Sequence, residues 1–269
     1  MPLVAQIKQK RSFLCVGLDT DPAKIPAHLR DLEDPIFEFN KAIIEATLPY
    51  CVAYKPNFAF FEAMGEKGMK ALRKTMELIP PTHFTIADAK RGDIGNTSER
   101  YAAAYFNDFS FDSVTVAPYM GSDSVQPFMK TDGKWTILLA LTSNPGADDF
   151  EQLTLSNGKK LYEQVVDTAK TWGTPEQLMF VVGATRVEAL KSLRERAPEY
   201  FFLIPGVGAQ GGDLKSVSLA AMNSDCGMLV NASRSILYAS SGEDFALKAA
   251  EEARLMQEEM AVLLTEHGL

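Results

Sequence analysis

Eight short apolar runs punctuate the chain: Phe13–Leu18, Val52–Tyr54, Phe84–Ala87, Ser113–Ala117, Thr136–Leu141, Leu178–Val182, Tyr200–Ile204 and Cys226–Val230. They are rich in β-branched and aromatic residues and nearly continuous rather than alternating, the pattern of strands buried on both faces. Between them lie turn-like clusters and longer stretches with helical spacing, such as Ile36, Phe39, Ile43 and Ile44, or Leu161, Val165, Val166 and Ala169. Eight strand-then-helix units within about 250 residues predict an α/β protein of the (β/α)8 TIM-barrel type. An open doubly wound sheet would have fewer strands and a glycine-rich dinucleotide turn near its start. The first run here ends Gly17-Leu18-Asp19-Thr20 instead. No repeat, linker or composition break interrupts the pattern, so a single domain over residues 1–269 is expected, closed by an amphipathic helix from Gly242-Glu243-Asp244 to about Glu266. The long connection from Ser143 to Gly158 reads as a lid over a site.

In this fold the active site belongs at the carboxyl ends of the strands. The first delivers Asp19, the second Lys55 and Asn57, the third Asp88, Lys90 and Asp93. Pro118 and Tyr119 follow the fourth, Thr142, Ser143 and Asn144 the fifth, and Gly183, Ala184 and Thr185 the sixth. The seventh brings Gly206, Gly208, Gln210, Gly211 and Gly212, and the eighth Asn231, Ser233 and Arg234. Charges thus gather at the first three ends, while glycines, amides and one arginine gather at the last two. The latter composition suits a phosphate: glycines let backbone N–H groups approach an anion, and a guanidinium can grip two of its oxygens. In Asp88-x-Lys90-x-x-Asp93, strand alternation would put residues 88 and 90 on one face, with Asp93 in the loop opened by Gly92. With Lys55 and Asp19 they would form an alternating carboxylate–ammonium array, each charge keeping its neighbour ionised. A plain run of solvated charges is the alternative. Ser143 has no histidine partner and suits hydrogen bonding to a polar ring, or a simple turn. Thr97 and Ser98 could cap the helix that follows them.

Composition narrows the field. With 46% hydrophobic and 23% charged residues the chain is ordinarily globular, and 27 Lys and Arg against 35 Asp and Glu leave a net charge of −8. That balance argues against a general nucleic-acid or anionic-membrane binder, but not against a small anion in a local basic pocket. Cys15, Cys51 and Cys226 form neither a disulfide framework nor a C-x-x-C pair, and His28, His83 and His267 fit no metal or triad pattern. Lys8, Lys10 and Arg11 could imitate the start of a signal peptide, but the run that follows is short and ends in Asp19. No apolar stretch approaches the roughly 20 residues that span a bilayer. A reduced, cytoplasmic, soluble protein is expected.

Taken together, several segments resemble the orotidine 5′-phosphate decarboxylase family in its longer bacterial form. They are Val16-Gly17-Leu18-Asp19, Lys55-Pro56-Asn57, Ala87-Asp88-Ala89-Lys90-Arg91-Gly92-Asp93-Ile94-Gly95, Thr142-Ser143-Asn144-Pro145-Gly146, Pro205-Gly206-Val207-Gly208-Ala209-Gln210-Gly211-Gly212 and Asn231-Ala232-Ser233-Arg234. The resemblance implies cofactor-free decarboxylation of orotidine 5′-phosphate to uridine 5′-monophosphate in pyrimidine biosynthesis. It makes Lys55, Asp88 and Lys90 the charged network at the reacting carbon, with Lys90 the proton donor to C6. It implies a homodimer in which Asp93 and Thr97 reach the neighbouring site. Asp19 then matches a ribose-hydroxyl ligand, Ser143 the pyrimidine contact, and Gln210 with Arg234 the phosphate grip. Ser233 stands where many members have glycine. A magnesium-dependent sugar-phosphate barrel, a Schiff-base aldolase using Lys55 or Lys90, and a non-catalytic phosphate-ligand binder remain alternative readings. Carboxylates close to a lysine would keep it protonated, which disfavours the aldolase.

Overall fold

The computed structural model describes residues 3–208 and 212–269. Eight parallel strands, β1 (Leu14–Leu18), β2 (Ala53–Pro56), β3 (Phe84–Arg91), β4 (Ser113–Val116), β5 (Trp135–Leu141), β6 (Leu178–Val182), β7 (Phe201–Pro205) and β8 (Met228–Ala232), are hydrogen-bonded in chain order as a closed barrel. All eight apolar runs become strands, and β1, β2, β4, β6 and β8 are buried along their whole length, as near-continuous runs require. Every strand but β6 shifts at one or both ends, mostly by one or two residues. β3 continues past Ala87 through the charged residues to Arg91. β8 begins at Met228 because Cys226 and Gly227 take positive φ in a turn closed by an Asn223–Cys226 bridge.

Internal contacts gather the chain into two compact units, residues 1–88 with 231–269, and residues 89–230. In the first, Gly17 lies in register with Lys55, and Leu18 with Pro56. The helix Pro35–Thr47 starts with proline after Asp34, whose carboxylate accepts the Phe37 N–H, and it buries Ile36, Phe39, Ile43 and Ile44. The helix Phe245–Glu266 begins and ends where the pattern placed it; Phe245 stacks on Phe39 at 5.1 Å, and Gln257 donates to the carbonyls of Lys10 and Arg11.

In the second unit, the buried guanidinium of Arg194 donates to the carbonyls of Ala197, Pro198, Tyr200, Ala221 and Gly227 and lies 4.0 Å over the Phe202 ring. It ties two helix ends to the approach to β8. The 143–158 connection has structure of its own: a 3-10 turn at Pro145–Asp149 and an antiparallel bridge between Thr154 and Lys160. Thr97 and Ser98 do not cap the helix Gly95–Ala103; they lie inside its first turns, after Ile94, and Ser98 donates to the carbonyls of Asp93 and Ser124. The three cysteines are buried and unpaired, and no helix among the described residues is long and apolar enough to cross a membrane.

Candidate active site

Three of the expected charged residues meet in the first unit. Lys55, at the carboxyl end of β2, is 4% exposed, and its ammonium lies 2.8 Å from Asp88 Oδ2 and 3.8 Å from Asp19 Oδ1. Asp19 follows β1 directly, and Asp88 is joined to Asn57 by a parallel bridge. Burial disfavours the ammonium charge, but attraction to Asp88 and Asp19 and the hydrogen bond to Asp88 outweigh it and hold the Lys55 pKa above its ordinary value. A lysine so held favours its ammonium form, which argues against a Schiff-base nucleophile at Lys55. Asp19 Oδ1 is buried and faces the Lys55 ammonium at 3.8 Å without accepting a hydrogen bond.

The tip of β1 is shaped by what approaches it. A Cβ on Gly17 would lie 1.9 Å from Ser233 Oγ and 3.0 Å from Asn231 Oδ1, so only glycine fits there. Asn231 donates to Ser233 Oγ at 3.2 Å, while its own buried Oδ1 accepts nothing. Ser233 therefore fills space that a glycine at its position would leave empty. Arg234 is exposed as the first residue of a single-turn helix, Arg234–Leu237. Tyr238, in the residue after that turn, donates to the Asp19 carbonyl at 2.9 Å and accepts the Asp21 N–H at 2.8 Å, fixing the chain that carries Asp19.

In the second unit, the alternation expected to carry Lys90 onto the face of Asp88 breaks. Lys90 takes φ of +47°, a left-handed backbone that non-glycine residues seldom adopt, so spacing alone does not set its direction. The hydroxyl of Thr115 on β4 accepts the N–H groups of both Ala89 (3.0 Å) and Lys90 (2.9 Å) and supports this conformation. Such strain concentrates where a side chain must be aimed. Lys90 and Thr97 are exposed and Asp93 and Ser143 half-buried; Asp93 Oδ1 accepts the Ile94 N–H. After β7, Gly206 and Gly208 take φ of +97° and +74°; the Gly208 N–H donates to the Gly212 carbonyl at 3.0 Å, and the Gly212 N–H donates to the Gly206 carbonyl at 3.2 Å. Gln210 lies outside the described residues.

Thr115, Tyr238 and Asn231 were not singled out from the sequence for these roles. A hydroxyl inside the apolar run Ser113–Val116 was a signal for the first; nothing local marked the second, whose partners are more than 200 residues away.

The sequence profile described as the Orotidine 5′-phosphate decarboxylase / HUMPS family matches residues 12–249. The chain is 60% identical over 262 residues, 96% of both chains, to an orotidine 5′-phosphate decarboxylase of Flavobacterium johnsoniae. It is 54% identical over 265 residues, 97% of both, to one of Phocaeicola vulgatus. Among solved structures it is similar to the Leishmania donovani OMP decarboxylase, with 37% identity and a TM-score of 0.80 over 96% of this chain and 99% of that one. With a profile match over most of its length and relatives identical at more than half their positions, the chain belongs to the orotidine 5′-phosphate decarboxylase / HUMPS family, and it is an enzyme of the carboxy-lyase kind.

Proposed function

We propose that the enzyme decarboxylates orotidine 5′-monophosphate to uridine 5′-monophosphate as a cytoplasmic, cofactor-free step of pyrimidine biosynthesis, with one catalytic domain spanning the chain. The observation that carries this reading is the Asp19–Lys55–Asp88 array, in which the buried Lys55 ammonium bonds Asp88 at 2.8 Å, on the strand that two residues later presents Lys90. Breaking the bond between C6 and the carboxylate leaves its electron pair on C6 and releases CO2. The Lys90 ammonium stabilises that pair and then transfers a proton to C6, becoming a neutral amine that solvent reprotonates. Asp88 stands beside the departing carboxylate, where like-charge repulsion eases its loss. Lys55 bonds Asp88 while its own charge is held by both aspartates.

The remaining roles follow the same reading. Asp19 accepts a ribose hydroxyl, Ser143 meets the pyrimidine, and Gln210 with Arg234 holds the phosphate, whose binding energy keeps the reacting end closed and dry. Asp93 and Thr97 serve the site of a second copy. The exposed apolar side chains of Ile94 (58%), Tyr119 (89%) and Met120, the last packed near Gly92, support a self-association surface beside Asp93.

The test is the loss of pyrimidine absorbance from orotidine 5′-monophosphate, followed with and without a metal chelator and with Lys90→Ala alongside. Chelator-resistant turnover in the wild type and a loss of at least about a thousand-fold in the variant are expected from removal of both proton and counter-charge. No turnover by folded wild-type protein, or turnover abolished by the chelator, overturns the proposal.

A further inference from the structure

The connection after β5 is fastened to its own strand end by one carboxylate. Glu151 Oε2 accepts the Thr142 N–H at 2.7 Å, and both its oxygens lie within 3.1 Å of the Thr142 hydroxyl. Thr142 is the first residue beyond β5, whose last ladder contacts pair Leu141 with Val182 and bring the Gly183 N–H to the Leu141 carbonyl. Its N–H therefore has no strand partner, and the connection supplies the acceptor from within. A carboxylate accepting a backbone N–H makes one of the stronger hydrogen bonds available to a loop.

Glu151 is itself held from behind. Its carbonyl accepts the Tyr162 N–H, and the neighbouring Leu153 carbonyl accepts the Leu161 N–H, which fixes this stretch to the start of the helix Leu161–Ala169. The Gln152 N–H reaches back to the carbonyl of Ala147, a buried residue in the 3-10 turn. The connection is thus a closed loop with Glu151 as its clasp, and Ser143 is the first residue held inside it. On its other side Ser143 is packed against Gly183, where an added Cβ would come within 2.9 Å of its backbone nitrogen and its Cβ.

We propose that Glu151 is a positioning residue for base recognition: by fixing Thr142 it sets the place of Ser143, and so controls affinity for the pyrimidine rather than for the ribose phosphate. This rests on the pyrimidine-contact role given to Ser143 above. Glu151 touches no reacting atom, and its effect passes through one peptide unit.

The experiment compares calorimetric binding of uridine 5′-monophosphate and ribose 5-phosphate to wild type, Glu151→Ala, Glu151→Gln, Ser143→Ala and the Glu151→Ala/Ser143→Ala double variant. Glu151→Ala is expected to weaken the nucleotide about ten-fold, as loss of a charge-assisted bond implies, and to leave ribose 5-phosphate within about two-fold. Glu151→Gln, which keeps an acceptor for the Thr142 N–H and covers the case in which the alanine variant does not fold, should show a smaller loss confined to the nucleotide. The double variant should bind no more weakly than Ser143→Ala, since both changes remove the same contact. Equal losses for both ligands, no loss for either, or additive losses in the double variant overturn the proposal. A wild type that binds nucleotide no better than ribose 5-phosphate and does not decarboxylate overturns the parent reading; a selective, active wild type with insensitive Glu151 variants overturns this one alone.

Discussion

The Thr115 hydroxyl accepts two consecutive N–H groups, those of Ala89 and Lys90, at the point where β3 leaves the extended conformation. One side chain on the neighbouring strand thereby holds Lys90 in a backbone geometry that its own chemistry does not favour. Replacing Thr115 by valine keeps the volume but leaves both N–H groups without this acceptor, at a cost of about 1–3 kcal/mol. The expected result is a drop in the turnover number larger than any change in KM, because Lys90 acts at the reacting carbon. Thr115→Ser, which restores the acceptor, should recover most of that drop. Steady-state kinetics on the three proteins checks this, and a valine variant with wild-type turnover removes Thr115 from the mechanism.

Among the elements, the join between the helix Leu3–Lys10 and the entry to β3 is a half-buried cation beside a histidine. The Lys10 ammonium donates to the Leu48 and Cys51 carbonyls and to His83 Nε2, 2.6 Å away, and the His83 ring lies 5.6 Å from that of Tyr54. Burial first, and the neighbouring Lys10 charge second, push the His83 imidazole down to about 4. Burial likewise lowers the Lys10 pKa, against attraction from Cys51. A histidine near 4 in the folded chain and about 6.5 when unfolded takes up its proton more readily unfolded. Its contribution to stability is therefore complete above about pH 6.5 and is lost as the pH falls toward 4. Urea midpoints should decline across that window, and His83→Gln should flatten the decline relative to wild type. Parallel pH profiles for the two proteins would exclude this join as the acid-sensitive element.

For the whole molecule, the issue is whether a site is completed by a second copy. Ile94, which follows Asp93, and Met120, near Gly92, expose apolar surface that a lone chain leaves wet. If Asp93 serves across a dimer, Lys90→Ala and Asp93→Ala are each inactive alone but complementary when mixed. In a hybrid the subunit with its own Lys90 receives an intact Asp93 from the other. Random reassociation makes about half the dimers hybrid, each with one intact site, so the mixture should recover about a quarter of wild-type activity. Activity that stays at the level of the separate variants would place Asp93 in its own site or outside the chemistry.

Much of this architecture is legible in the sequence. Apolar runs buried on both faces mark strands whatever surrounds them, and all eight were placed from periodicity because burial alone dictates that pattern. The ends were read less well. The apolar pattern ends β3 at Ala87, since charge reads as loop, whereas Asp88 and Lys55 pair with each other and the strand continues to Arg91. The strand ends carry Asp19, Lys55 and Asp88, and the structure brings these three together. Periodicity could not determine the direction of Lys90, which depends on a hydroxyl from β4, nor the clasp of Glu151 on Thr142, nor the space at Gly17 occupied by Ser233 from the far end of the chain. Sequence alone determines which residues must be buried and which chemistry is available, because hydrophobicity and charge belong to each residue. Tertiary structure decides where the charges point, because that is set by hydrogen bonds and close contacts between segments distant in the chain.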